Sequence, residues 1–142
     1  MFQHILLPLD LSEDHRRTVN VGADLAHRHR ARLTLLHVIE EIAGAASDDA
    51  ELGGFYSRLE ERARERMATE EERLATKRDL VVDAAIVVGK RAEQIIGFAA
   101  DQGVDLIVMS SRRLARDQAP VTWPTISHQV ALVAPVSTLL VR

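Results

Sequence analysis

Three groups of residues have types and spacings on which chemistry can rest. Asp10 ends the first apolar run, ILLPLD. An acid at the end of a strand either accepts hydrogen bonds from a ligand or turns the chain into the next element. Arg112, Arg113 and Arg116 crowd one polar connection. Their guanidiniums either hold an anion or stay solvated and pair with Asp117. In the same connection, Trp123 has the ring to stack on a base, or to cover the edge of a core. Thr125 follows directly and is placed to cap a helix.

Other chemistry finds little support. The six histidines are His4, His15, His27, His29, His37 and His128. His27 and His29 stand two apart on an expected helix and point to different sides, and the others are scattered, so no metal site is expected. Ser110, Ser111 and Ser127 lie near loops or caps, and no G-x-S-x-G elbow frames them. Ser127 and His128 are neighbours on a helix and do not face one another, so no nucleophilic enzyme is expected. Glu70, Glu71 and Glu72 read as a solvated helix face. Gly53 and Gly54, with no G-x-G-x-x-G around them, read as a loop or hinge.

With 142 residues, the chain has the length of one domain, expected to span 1–142, and can bury a core without disulfides or a structural metal. It has no cysteine, which fits a reducing compartment. A formal net charge of −3 supplies no global field for nucleic acid. The opening MFQHILLPLD has no basic leader before a long apolar run, and no apolar stretch approaches the ~20 residues of a membrane span. A cytoplasmic protein without nucleic-acid or membrane partners is expected.

The elements that must position these residues alternate along the chain. Apolar runs at Ile5 to Leu9, Leu33 to Ile39, Leu80 to Val88, Leu106 to Met109 and Val136 to Val141 read as strands, the first of them buried on both faces. Between the first two, Ser12 is placed to cap a helix with Glu13 and Asp14 in its first turn, running to about Arg30. Glu40 to Gly54 reads as a loop. Phe55, Leu59, Ala63, Met67 and Leu74 then mark the apolar stripe of a long helix. A third helix covers Ala92 to Gln102 and stops at Gly103, and a fourth runs from Thr125 towards Pro135. Five strands separated by four helices predict an α/β fold, a single doubly wound domain with a mostly parallel five-stranded sheet.

Several separated segments carry a family resemblance. HILLPLDLSEDHRRTVNVGADLA, LTLLHVIE, VGKRAEQIIGFAADQGVDLIVMSSR and ISHQVALVAPVSTLLVR resemble, in order and spacing, the strands and helices of universal stress proteins. The likeness covers nearly everything except the stretch from Glu40 to Arg78. It implies a Rossmann-like, adenine-nucleotide alpha-hydrolase-like fold, and many members bind ATP at the carboxyl ends of their strands. By that likeness, Asp10 matches the acid that meets the ribose, and Pro8 and Val38 match positions bordering the adenine.

The phosphate loop departs from the pattern. The family places glycines where this chain has Ser110, Arg113 and Pro124, and only Thr125 keeps the family's residue type. Glycines let a backbone curl around phosphate without a Cβ in the way, and proline has no N–H to donate. The resemblance with these losses implies a non-catalytic, dimeric stress-response module with a degenerate nucleotide site and no cofactor expected. The alternative is an ATP-binding protein with slow or no hydrolysis, in which Arg112 and Arg113 replace the glycines. Family members commonly pair the last strand with its copy, so a homodimer through Val136 to Val141, with further protein partners, is expected.

Overall fold

Leucine, isoleucine and valine dominate the apolar runs, and such residues settle in strands that meet apolar neighbours on both faces. The computed structural model describes residues 1–12, 15–43, 50–111 and 125–142. In chain order its elements are β1 (His4–Pro8), α1 (Arg16–His29), β2 (Arg32–Glu40), α2 (Ala50–Arg78) and β3 (Val82–Gly89). Then follow α3 (Arg91–Asp101), β4 (Leu106–Ser110), α4 (Ile126–Val133) and β5 (Ser137–Val141). The strands form one sheet in the order β3-β2-β1-β4-β5, and every neighbouring pair is parallel.

Alternation along β1 divides the core in two. Ile5 and Leu7 pack with Val19 and Ala23 of α1 and with Met67 and Leu74 of α2. Leu6 packs on the opposite face with Leu36, with Ile95 and Ala99 of α3 and with Val130 of α4. Each fully buried aliphatic side chain contributes about 1.5–3 kcal/mol. Helices therefore cover both faces, two on each, and the connections leave β1 and β4 for opposite sides. That is the doubly wound arrangement expected from the sequence.

Three local expectations are corrected. Ser12 does not cap α1, whose N-cap residue is His15. Ser12 instead gives its N–H and hydroxyl to Asp10, at 2.9 and 2.7 Å. Gly53 and Gly54 lie inside α2 and not in a loop, because the helix starts at Ala50. Ser110 ends β4, where it pairs with Val141, and does not open a loop. The stop after α3 is as read: Gly103 has φ +66°, a left-handed conformation that glycine adopts at little cost.

Candidate functional site: a cleft at the carboxyl edge

An open α/β sheet leaves a crevice where connections depart to opposite faces, and here that point lies between β1 and β4. A cleft of about 300 Å³ occupies it. Leu36, Val38, Ile95 and Met109 give it an apolar floor. Asp10, His15, Arg91, Ser110, Thr125 and Ser127 give it a polar rim, with Pro8 beside them.

Asp10 is held by the turn that follows β1. Its Oδ1 accepts both Ser12 donors, and among the described residues Oδ2 has no partner. Burial alone pushes the carboxyl group up, but the two Ser12 hydrogen bonds and the positive charges of Arg91 and His15 outweigh it. The pKa ends below the ordinary carboxylate range. Leu11 completes the turn with φ 61°, a conformation costing a non-glycine residue on the order of 1–3 kcal/mol. Arg66 of α2 secures it, its Nη1 donating to the Leu11 carbonyl oxygen at 2.9 Å.

On the far wall, Thr125 caps α4, and its hydroxyl oxygen accepts from the His128 N–H at 3.4 Å. The same oxygen lies 2.7 Å from His128 Nδ1 and 3.0 Å from Ser127 Oγ. The spacing i, i+3 brings Thr125 and His128 together, a pair that adjacency of Ser127 and His128 had hidden. A nucleophile and base need a third group to orient the base. Among the described residues no carboxylate bonds His128. Ser110 Oγ bonds Thr18 Oγ1 at 2.8 Å, and the Ser111 N–H donates to the Val141 carbonyl oxygen at 2.7 Å.

Of the residues singled out from the sequence, Pro8, Asp10, Val38, Ser110 and Thr125 line this one cleft. Arg112, Arg113, Arg116, Trp123 and Pro124 lie outside the described residues, as do Glu13 and Asp14. Sequence reasoning missed Arg91 and His15. Arg91 begins the helix after β3, and its Nε stands 3.8 Å from Glu40 Oε1 at the end of β2. The rule that placed Asp10 at a strand's carboxyl end finds Arg91 when applied to β3. Among the described residues, no three histidine, aspartate or glutamate side chains gather as metal ligands.

The whole chain, residues 1–142, matches the model of the universal stress protein family, and the chain belongs to that family. A universal stress protein of Thermus aquaticus, encoded in the QAH/OAS sulfhydrylase 3′ region, is 30% identical over 142 residues, covering 100% of both chains. Universal stress protein UspA from Lactobacillus plantarum superposes with a TM-score of 0.79 at 23% identity, covering 99% of this chain and 98% of that one. The universal stress protein of Archaeoglobus fulgidus in complex with dAMP superposes with a TM-score of 0.69 at 14% identity, covering 99% and 98%.

Proposed function

We propose that this universal stress protein is a non-catalytic, dimeric stress-response module in which the family's ATP-binding loop has degenerated. Ser110 carries the reading. At the place of the loop's first glycine, the backbone is committed to the β4–β5 ladder and the side chain to Thr18. A backbone fixed in that way is not free to curl around a phosphate. Arg113 and Pro124 replace the other two glycines, and Pro124 has no N–H to offer. Because the sites of such proteins, not their fold, decide activity, the absence of a glycine cradle outweighs the family likeness.

The dimer reading rests on β5, which ends the sheet with a free edge among the described residues. An apolar edge strand invites pairing, and a two-fold axis lets it pair with its own copy and stop there. Leu139 on that strand is 38% exposed, and Leu132 and Val133 at the end of α4 are 79% and 66% exposed. No described helix is long and apolar enough to cross a membrane. We assign the protein to the cytoplasm, with other proteins as partners.

The cleft itself favours a second reading, nucleotide binding without fast hydrolysis. Asp10 would hold the ribose, Pro8 and Val38 would border the base, and Arg112 and Arg113 would take the phosphates. The dAMP bound to the Archaeoglobus relative supports it. Mass spectrometry of the purified protein under native and denaturing conditions separates the two. The expected result is a dimer with no nucleotide, and a monomer for Leu140→Pro, which deletes a ladder donor at the strand's centre. A stoichiometric nucleotide adduct promotes the second reading, and a wild-type monomer at tens of micromolar removes the edge-strand dimer.

A further inference from the structure

A larger recess, about 990 Å³, lies across the β1–α1 turn from the cleft, between α1 and α2. On the α2 side, Arg66, Thr69, Glu70 and Arg73 stand at i, i+3, i+4 and i+7, so they share one face. At 1.5 Å of rise per residue the two arginines are about 10 Å apart along the helix. His15, Arg16 and Asn20 face them from the first turns of α1.

The lining carries three guanidiniums against one carboxylate among the described residues, in a chain whose formal net charge is −3. That local excess runs against the charge of the whole molecule. Each cation is differently placed. Arg66 is anchored at one end by the Leu11 carbonyl oxygen. Arg73 gives its Nη2 and Nε to Glu70, which fixes the guanidinium in the groove wall and leaves Nη1 for a ligand. Arg16 has no ion-pair partner among the described residues and sits in the first turn of α1, where unpaired N–H groups already favour anions. Ser12 and Thr69 add hydroxyls to the same walls.

Guanidiniums in fixed forks suit phosphate oxygens. Arginines set about 10 Å apart along one helix, with a third across from them, match an anion of some length, and a chain of phosphates has both the length and the charge. We propose that the α1–α2 groove binds an oligophosphate through Arg16, Arg66 and Arg73. The groove adjoins the cleft at Leu9 and His15, but none of its three arginines lines that cleft, so the proposal does not depend on how the cleft is read. Free oligophosphate and the phosphate tail of a nucleotide share this chemistry.

The test is calorimetric titration of the full chain with sodium tripolyphosphate, and in parallel with ATP without magnesium, at two salt concentrations. The expected result is one saturable site for tripolyphosphate that weakens as salt rises. Arg16→Gln and Arg66→Gln each lower the affinity at least about tenfold, the loss of one charge-assisted contact. Arg91→Gln, which changes the cleft and touches neither the groove nor the Leu11 turn, leaves tripolyphosphate binding unchanged. Arg16 is exposed, so Arg16→Gln keeps the wild-type melting temperature, and Arg66→Gln, which also gives up the bond to the Leu11 carbonyl oxygen, melts slightly lower while keeping the fold. ATP binding no tighter than tripolyphosphate supports the groove with free oligophosphate as its ligand. Tighter ATP binding that either arginine variant weakens supports the groove with a nucleotide tail. Absence of a saturable site, unchanged affinity in either arginine variant, or loss of tripolyphosphate binding in Arg91→Gln overturns the proposal.

Discussion

Asp10 is where the local chemistry of the cleft meets the stability of the fold. Its carboxylate accepts two hydrogen bonds that hold the Leu11 turn, so the charged form is favoured in the folded chain. A carboxyl group whose pKa falls on folding adds stability above its unfolded value, and that stability is lost as pH drops through the folded value. Asp10→Asn should therefore be slightly less stable than wild type at pH 7, by well under about 1 kcal/mol because the group is largely exposed. As pH falls from about 4 through the lowered folded value the gap should close, since the wild-type carboxyl becomes neutral in both states. Urea midpoints stepped from pH 7 down through the acid range check this, and a gap that does not narrow as pH falls assigns it to the amide's geometry and not to charge. Asp10 was legible because it ends an apolar run. The Ser12 cap was misread because a carboxylate two residues upstream competes for the same serine, and sequence alone does not rank the two partners.

At the scale of elements, two helical glycines differ sharply in their surroundings. A Cβ on Gly22 of α1 would stand 2.7 Å from Leu7 Cδ1 and 2.9 Å from its Cγ, and Leu7 is fully buried in β1. A Cβ on Gly97 of α3 would meet nothing within 4 Å. Gly22→Val should thus cost about 1–3 kcal/mol by overpacking, while Gly97→Ala should gain up to about 1 kcal/mol from helix propensity. Chemical denaturation of both variants checks the pair of signs. A neutral Gly22→Val would mean that α1 can lift from the sheet. The α2 stripe through Ala63, Met67 and Leu74 was legible, and all three are buried. Its start was not, because Gly53 and Gly54 are weak helix formers that the helix nonetheless includes.

For the whole molecule, alternating apolar runs and helices led to the right class of sheet, since parallel strands need a crossover between them. The last strand lies at the edge of that sheet, where among the described residues only β4 pairs with it. The cleft was legible only in part. Residues ending β1, β2 and β4 declare themselves by position, whereas Arg91 and His15 arrive from helix starts that the same chain folds over the sheet. The groove between α1 and α2 was not legible, because it joins residues about fifty positions apart across a stretch the family resemblance leaves out.

In the function proposed above, Ser110, Arg113 and Pro124 leave the cleft without the glycines of a phosphate cradle. Calorimetry of the purified chain with Mg-ATP, on wild type and Asp10→Ala side by side, tests it most directly. The expected result is no micromolar binding that depends on Asp10. A micromolar dissociation constant, about −8 kcal/mol, that Asp10→Ala weakens by roughly 1–3 kcal/mol would contradict it, because the cleft would then hold ATP without its glycines.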